Sequence, residues 1–129
     1  MNKNFLEIDN VTFQVGGTSK VNNVTFSIEN EGDVICLLGP SGIGKTTILR
    51  TIAGLEKIKS GMIRLKGKVM SSSKINIEPE DRNISLSFQE NSLFPHYTVE
   101  KNIYLGFKAK KPNGKKKISP KKIIKLLNI

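Results

Sequence analysis

The chain has 129 residues, of which 37% are hydrophobic and 25% are charged, and this composition is that of one globular domain. No apolar run reaches the roughly 18 residues that a membrane-spanning helix needs, and the first residues lack the apolar core of a signal peptide, so export is not expected. The single cysteine excludes an internal disulfide framework and a zinc site built from several cysteines, and it fits a reducing compartment.

The net charge of +10 lies entirely at the end of the sequence. Residues 1–100 contain all 11 acidic residues and 11 of the 21 basic ones, so their charges sum to zero. The last 29 residues contain ten lysines and no acidic residue. A basic chain ordinarily suggests nucleic acid or an anionic membrane surface as a partner, but here the charge describes a tail and says little about the body.

Three strands are predicted before Gly39. Loose alternation over 5–15 and clear alternation over 21–28 predict two strands that pair, with a glycine turn between them. The run 34–38 is continuously apolar, which is typical of a strand covered on both faces in a parallel sheet. Cys36 lies within this run, so we expect a small buried core residue there in preference to a reactive thiol.

Beyond residue 44 the sequence predicts helices and short strands. The spacing of apolar residues predicts a helix from Lys45 to Ala53, and Gly54 suits its C-terminal stop. The predicted apolar side of this helix contains Ile48, Leu49, Ile52 and Ala53. Thr98 suits the N-cap of a helix that runs to about residue 107, and Ser119-Pro120 suits the start of an amphipathic helix that needs a partner for its apolar face. Further strands are predicted at 62–65, 68–70 and 84–88, with a loop at 71–77 and a basic linker at 108–117.

Residues 39–46 read GPSGIGKT, a full match to the pattern G-x-x-x-x-G-K-[ST]. The glycines allow the backbone to curl so that successive N–H groups point inward and form an anion-binding nest. The helix that begins near Lys45 points the positive end of its dipole at the same place. The Lys45 ammonium adds a mobile charge for the outer phosphates, and the Thr46 hydroxyl can ligate Mg²⁺. The apolar run before the motif and the helix after it favour a phosphate-binding loop over a turn that binds nothing.

Around this loop the sequence resembles one family. GPSGIGKTTILRTIAGLEKIKSG at 39–61 is similar to the nucleotide-binding subunit of ATP-binding-cassette (ABC) transporters. LFPHYTVEKNI at 93–103 resembles the bacterial importers of the iron, polyamine, sulfate and sugar group, and the loop SSSKINIEPED at 71–81 resembles the ferric-ion importers most. The resemblance covers nearly all of residues 5–107. Other matching segments are Glu29–Gly32, PEDRNI at 79–84 and SFQE at 87–90.

The resemblance implies a role for individual residues. Lys45 binds the outer two phosphates, Thr46 holds Mg²⁺, and Thr47 reaches the inner phosphate through its hydroxyl or amide. Gln89 approaches Mg²⁺ and the attacking water, although a polar residue at a strand end is the alternative. The segment Glu90–Tyr97 lies near a membrane permease and couples ATP binding to its movement. The implied nucleotide-binding residues are Gly39, Pro40, Ser41, Gly42, Ile43, Gly44, Lys45, Thr46 and Thr47.

One departure from the family concerns the nucleotide base. The family usually stacks an aromatic side chain on adenine from the turn after the first strand, but Val15 stands at that position, before Gly16-Gly17. Phe13 lies two residues earlier on the same side of the strand and is an alternative candidate for stacking on adenine. Loss of a stacked ring would cost about 1–3 kcal/mol and would reduce base selectivity.

A second departure concerns hydrolysis. The family's LSGGQ-like signature loop, its apolar strand ending in Asp-Glu and its switch histidine have no match in the 129 residues. His96, the only histidine, matches the segment after the glutamine loop and is expected to be an ordinary, partly exposed loop residue. Because phosphoryl transfer depends on groups that position water and Mg²⁺, we expect that the chain alone does not hydrolyse ATP efficiently. Central strands of the family's sheet are also missing, so the run 34–38 is expected to have an unpaired edge.

These observations predict an α/β protein with a P-loop NTPase core of the ABC ATPase type and an antiparallel β subdomain, truncated at the start of the helical subdomain. Residues 1–107 are predicted to be the N-terminal part of the ATPase domain. Residues 108–117 are predicted to be a lysine-rich linker, and residues 118–129 the start of the helical subdomain.

The leading functional hypothesis is the ATP-binding subunit of an ABC importer, an ATPase by family, with MgATP as ligand and ferric iron as the first solute to consider. Its implied partners are a membrane permease and a second ATPase subunit, and its implied location is the cytoplasmic face of the plasma membrane. A non-catalytic module that binds nucleotide or permease is one alternative. A basic protein that binds nucleic acid or lipid through Lys101–Lys125 is another, and nucleic acid is disfavoured because aromatic residues do not interleave the lysines.

Overall fold

The computed structural model describes residues 4–15, 19–88, 93–108 and 119–127. Contacts divide the chain into two compact units, Met1–Leu86 and Ser87–Ile129. The first unit contains a four-stranded antiparallel sheet and the helix that follows the GPSGIGKT motif, and the second contains two short helices. Within the described ranges, no helix combines the length and the apolar character needed to cross a bilayer.

The sheet of the first unit has the strand order β2-β1-β3-β4. Its strands are β1 (Leu6–Val15), β2 (Ser19–Ile28), β3 (Ser60–Leu65) and β4 (Lys68–Ser71). All three neighbouring pairs are antiparallel. The four strands predicted at these places are therefore confirmed, with ends that differ from the prediction by at most two residues.

One face of this sheet forms the core of the first unit. Ile8 on β1 lies opposite Phe26 on β2 and Ile63 on β3. Val24, Phe26 and Ile28 are half-buried against the core and the residues between them are exposed, as the alternation predicts. Burial of each large apolar side chain contributes about 1.5–3 kcal/mol, so this cluster is the main source of stability. The buried apolar side chains of the cluster are Leu6, Ile8, Val11, Phe13, Ile58, Ile63 and Met70.

The helix α1 (Lys45–Ile52) follows the motif as predicted. It packs on the core of the sheet through Ile48 and Ile52. Leu49 is 44% exposed, so its predicted place on the buried side is wrong, because one residue on a helix turns about 100° away from its neighbour. Gly54 has a φ of +91°, and this left-handed residue ends the helix as predicted.

Two predicted strands are absent from the described residues. Residues 33–40 and 84–88 form neither helix nor strand. Val34 and Leu38 are 94% and 87% exposed, and Cys36 is exposed as well, so the prediction of a buried strand with a buried cysteine is wrong. A parallel strand needs a hydrogen-bonded neighbour, and the four strands of the described sheet pair with one another instead.

The second unit contains α2 (Val99–Lys108) and α3 (Pro120–Leu127). The predicted N-caps are confirmed, since the hydroxyl oxygens of Thr98 and Ser119 accept backbone N–H groups from three residues further on at 3.2 and 3.3 Å. The two helices contact each other, so α3 has a partner for part of its apolar face. Residues 109–118, which contain most of the predicted linker, lie outside the described residues. The groove between the helices is lined by side chains that include Ile103, Tyr104 and Ile124.

Candidate phosphate-binding site

Residues 39–44 form a loop that leads directly into α1. Gly39, Gly42 and Gly44 have φ angles of +151°, +81° and +104°. Left-handed residues that alternate with right-handed ones turn successive N–H groups toward one side of a loop, so three positive φ angles here favour an anion-binding nest. Residues 39–43 are exposed, so the nest is open to a ligand from solvent.

The N-terminus of α1 has no side-chain cap. Its N-cap residue is Gly44, no side chain bonds to the first N–H groups, and the first turn contains no acidic residue. The first N–H groups of a helix have no partner within the helix, and the helix dipole places about half a positive charge there. An anion at this end would supply the missing acceptors and favourable charge together, so the site fits a phosphate group.

The Lys45 side chain folds back over the loop. Its Nζ donates to the carbonyl oxygens of Gly39 and Pro40, in both cases at 2.7 Å. A phosphate oxygen is a better acceptor for this ammonium than a neutral carbonyl, because its negative charge adds a Coulombic attraction to the hydrogen bond. The ammonium is therefore held beside the nest and can exchange its carbonyl partners for the oxygens of a bound phosphate.

Thr46 and Thr47 place two hydroxyl groups at the same end of α1. Thr46 is exposed and Thr47 is half-buried. A hydroxyl oxygen is a hard ligand of the kind that Mg²⁺ prefers, and Mg²⁺ in proteins is usually held by few side chains together with substrate phosphates. In the part of the chain that the structure describes, no group of three or more His, Cys, Asp or Glu residues could hold a metal ion. The residues present fit a Mg²⁺ that arrives with a nucleotide and takes the Thr46 hydroxyl as a ligand.

The structure brings the predicted phosphate-site residues, 39–47, together at one end of α1. Gln89 and Glu90 lie outside the described residues. His96 is exposed in the second unit. Phe13, left open above as a base-stacking residue, is 0% exposed within the core, so its ring has no free face for a base. The side chain of Val15 lies outside the described part.

Three exposed rings lie together in the second unit, and we call them the aromatic patch (Phe94, His96 and Tyr97). Their ring centroids are 4.4–5.9 Å apart. Asn102 on α2 holds the backbone beneath them, since its Oδ1 accepts the Phe94 N–H at 2.8 Å. Its Nδ2 donates to the carbonyls of residues 94, 97 and 98 at 3.1–3.2 Å. The role of Asn102 could not be predicted from the sequence, because an asparagine on a helix gives no signal by itself.

Replacing Asn102 by alanine is expected to release the backbone of the aromatic patch, since the change removes one acceptor and both amide donors. Replacing the exposed neighbour Lys101 by alanine leaves the Asn102 amide in place and serves as the matched control. Hydrogen exchange of the Phe94 amide measures the difference. We expect fast exchange in Asn102→Ala and retained protection in Lys101→Ala. Equal protection of this amide in both variants would show that Asn102 does not hold the segment.

Comparison with known proteins adds the family. The model of the family described as ABC transporter matches residues 21–129 of this chain. The chain belongs to the ABC transporter family. The chain is 42% identical over 106 residues to the Fe(3+) ions import ATP-binding protein FbpC of Escherichia coli (strain K12), a match that covers 82% of this chain and 29% of that protein. It is 50% identical over 98 residues to the spermidine/putrescine import ATP-binding protein PotA of Nitrosospira multiformis, which covers 76% of this chain and 26% of that protein.

A further curated relative is the sn-glycerol-3-phosphate import ATP-binding protein UgpC of Brucella abortus (strain 2308), 43% identical over 105 residues. That match covers 81% of this chain and 28% of the relative. This member of the ABC transporter family therefore spans between 26 and 29% of the length of these curated relatives.

Solved structures of the same family share the fold. One is a nucleotide-free ATP-binding cassette of an ABC transporter, with a TM-score of 0.66 and 27% identity over 85% of this chain and 44% of that one. Another ATP-binding cassette of an ABC transporter gives a TM-score of 0.69 and 25% identity over 98% of this chain and 53% of that one. The predicted ABC ATPase fold class and the predicted resemblance to importer ATP-binding proteins are both confirmed.

Proposed function

We propose that this chain binds MgATP through residues 39–47, as part of the ATP-binding subunit of an ABC importer. The observation that carries the proposal is the convergence of the Lys45 ammonium and the uncapped N-terminus of α1 on one exposed glycine loop. In the proposed complex the N–H groups of the loop and of α1 donate to the phosphates. Lys45 neutralises the outer two phosphates, Thr46 gives an oxygen ligand to Mg²⁺, and Thr47 reaches the inner phosphate.

For the whole protein we propose ATP hydrolysis that drives solute uptake through a membrane permease, with a second ATPase subunit beside it on the cytoplasmic face of the membrane. The names of the relatives support this proposal, since each is an import ATP-binding protein. Hydrolysis needs groups that position water and Mg²⁺, and within this chain Gln89 is the residue proposed for that role. For the 129 residues alone we propose nucleotide binding without efficient turnover, because the sequence contains neither an LSGG segment nor an apolar run ending in Asp-Glu.

The names of the relatives do not single out one transported solute. The three relatives are named for Fe(3+), for spermidine and putrescine, and for sn-glycerol-3-phosphate, so similarity of the ATP-binding subunit does not separate these solutes. The loop 71–81 favours ferric iron as the first solute to test, because it resembles the ferric-ion importers most.

The segment Glu90–Tyr97 is proposed to contact the permease. The support in the described residues is the exposed aromatic patch, together with Leu93, which is 71% exposed. Exposed aromatic and apolar side chains that lie together are typical of a protein interface. Residues 108–117 are proposed as a linker and residues 118–129 as the start of the helical subdomain.

Replacing Lys45 by alanine tests the phosphate site. The change removes the ammonium that bonds to the outer phosphates, and hydrogen bonds to charged groups contribute about 1.5–3 kcal/mol, so we expect the Kd for MgATP to rise about tenfold to a hundredfold. Isothermal titration of MgATP into the chain measures the change, and phosphate release in the same solutions separates binding from turnover.

Two controls accompany the Lys45 variant. Lys59→Ala removes an exposed lysine of the same unit that lies outside the motif, and it is expected to keep the wild-type affinity. AMP lacks the outer phosphates, so its affinity is expected to be little changed by Lys45→Ala. An unchanged Kd for MgATP in Lys45→Ala would remove the phosphate site from the proposal.

A further inference from the structure

Arg82 is the largest fully buried side chain of the described residues, with 1% of its surface exposed. It follows the 3₁₀ turn Pro79–Asp81. All five N–H donors of its guanidinium are matched by five acceptors at 2.7–3.1 Å. Since these donors form a rigid planar fork, no other side chain can make the same set of bonds. The acceptors are the carbonyl oxygens of Thr51, Ile52 and Ile77, the Ser71 hydroxyl and the Asn76 Oδ1.

Two of these acceptors are the last carbonyls of α1. Arg82 Nη1 donates to the carbonyls of Thr51 and Ile52 at 3.1 and 3.0 Å. The last carbonyls of a helix have no partner within the helix and carry its partial negative charge, so a cation that bonds to them stabilises that end. Because α1 has only eight residues, it depends on such tertiary contacts to stay helical.

The other acceptors belong to the last residue of β4 and to the segment that follows it. Arg82 Nη2 donates to Ser71 Oγ at 2.8 Å and to Asn76 Oδ1 at 2.9 Å, and Nε donates to the Ile77 carbonyl at 2.7 Å. Ser71 and Asn76 also pair as an isolated bridge and are linked by a side-chain hydrogen bond at 3.2 Å. Arg82 therefore joins the C-terminal end of α1 to the edge of the sheet beyond β4.

Within α1 the connection continues toward the phosphate loop. Thr51 is 1% exposed, and its hydroxyl donates to the Thr47 carbonyl at 2.8 Å. Thr47 lies in the first turn of α1, among the residues proposed to bind phosphate. Arg82 thus holds α1 at the end opposite to the proposed ligand. The hydrogen bonds within α1 then fix the position of its first turn, where the phosphates are proposed to bind.

Gly54 leaves the space that the Arg82 guanidinium occupies. A Cβ added at Gly54 would lie 2.5 Å from Arg82 Nε, and the residue has a φ of +91°. Any other residue at position 54 would push the guanidinium away from the carbonyls of α1. Burial lowers the pKa of Arg82, while the charge of Glu78 acts in the opposite direction. An arginine starts so far above neutral pH that it stays charged here.

We propose that Arg82 is a positioning residue for nucleotide binding. Through its bonds to the carbonyls of Thr51 and Ile52, it fixes α1 and the phosphate loop against the sheet. The proposal rests on the proposed function in one respect, that residues 39–47 hold the phosphates. Arg82 lies within the polar segment PEDRNI, whose local pattern gives no sign that this residue is buried.

The test compares Arg82→Lys and Arg82→Ala with Phe26→Ala. Phe26 lies on the edge strand β2, where its loss weakens the core, whereas α1 packs on β1. At a temperature where the variants are folded, we expect both Arg82 variants to raise the Kd for MgATP about tenfold or more, and Phe26→Ala to leave it unchanged. Millimolar guanidinium is expected to restore part of the affinity of Arg82→Ala and to have no effect on Phe26→Ala. Wild-type affinity in Arg82→Lys would overturn the proposal.

Hydrogen exchange supplies two further readouts, the first independent of the proposed function and the second independent of any variant. Without nucleotide, the α1 amides of Arg82→Ala are expected to exchange faster relative to the sheet, and equal exchange would overturn the proposal. In the unaltered chain, MgATP is expected to slow exchange of the Arg82 Nε proton, and an unaffected proton would also overturn it. Should the unaltered chain fail to bind MgATP, the proposed function fails, and the nucleotide-free exchange still decides whether Arg82 holds α1.

Discussion

Replacing Gly61 by alanine is expected to lower the free energy of unfolding of the first unit by about 2–5 kcal/mol. Gly61 has a φ of +88°, and an added Cβ would lie 2.4 Å from the Asn10 carbonyl oxygen and 2.6 Å from that of Asp9. These atoms belong to the backbone of β1, at the place where its pairing with β3 shifts register, so they cannot move without breaking the ladder. Urea unfolding followed by circular dichroism measures the loss.

Gly32→Ala is the matched control for this experiment. Gly32 has a φ of +105°, but an added Cβ would meet nothing within 4 Å, so this variant carries the cost of a left-handed alanine alone, about 1–2 kcal/mol. The difference between the two variants measures the contact between β3 and the irregular part of β1. Equal losses in the two variants would show that β1 and β3 are not packed as closely as described.

Replacing Phe13 by alanine is expected to cost about 3–5 kcal/mol, because the ring is fully buried and the surrounding core can collapse only in part. Phe13→Leu keeps most of the apolar volume and is expected to cost about 1 kcal/mol. Thermal or urea unfolding of the two variants gives these values.

The leucine variant also tests where the Phe13 ring lies in the proposed complex. A ring inside the core does not touch the base, so Phe13→Leu is expected to leave the ratio of ATP to GTP affinities unchanged. A clear change in that ratio, in a variant that stays folded, would mean that Phe13 contacts the base and that its place in the core is wrong.

The sequence predicted best the features that are set by residues close together in the chain. The loop 39–46 could be recognised because its glycines, Lys45 and Thr46 act within eight consecutive positions. The strands β1 and β2 could be found because one face of each is buried and the other is exposed, which leaves an alternating pattern. The caps at Thr98 and Ser119 likewise depend on residues three positions apart.

The features that were missed depend on distant residues. The run Val34–Leu38 has the composition of a buried strand, but a strand forms only where another strand offers its hydrogen-bonding groups. The acceptors that allow Arg82 to be buried belong to residues 5 to 31 positions away in the sequence. No local sequence pattern indicates them. Phe13 could equally have faced a ligand or the core, and only the packing of β3 and α1 decides between these positions.

The exposed run Val34–Leu38 ends at Gly39, so nothing separates it from the phosphate loop. The downstream side of that loop is anchored by α1, whereas residues 33–40 belong to no helix or strand. Fixing the backbone of one residue costs about 1–2 kcal/mol of conformational entropy, and a ligand that orders this run must meet that cost from its own binding energy. A strand that paired along Val34–Leu38 would order this run before the ligand arrives. Such pairing would therefore raise the affinity of the loop for phosphate.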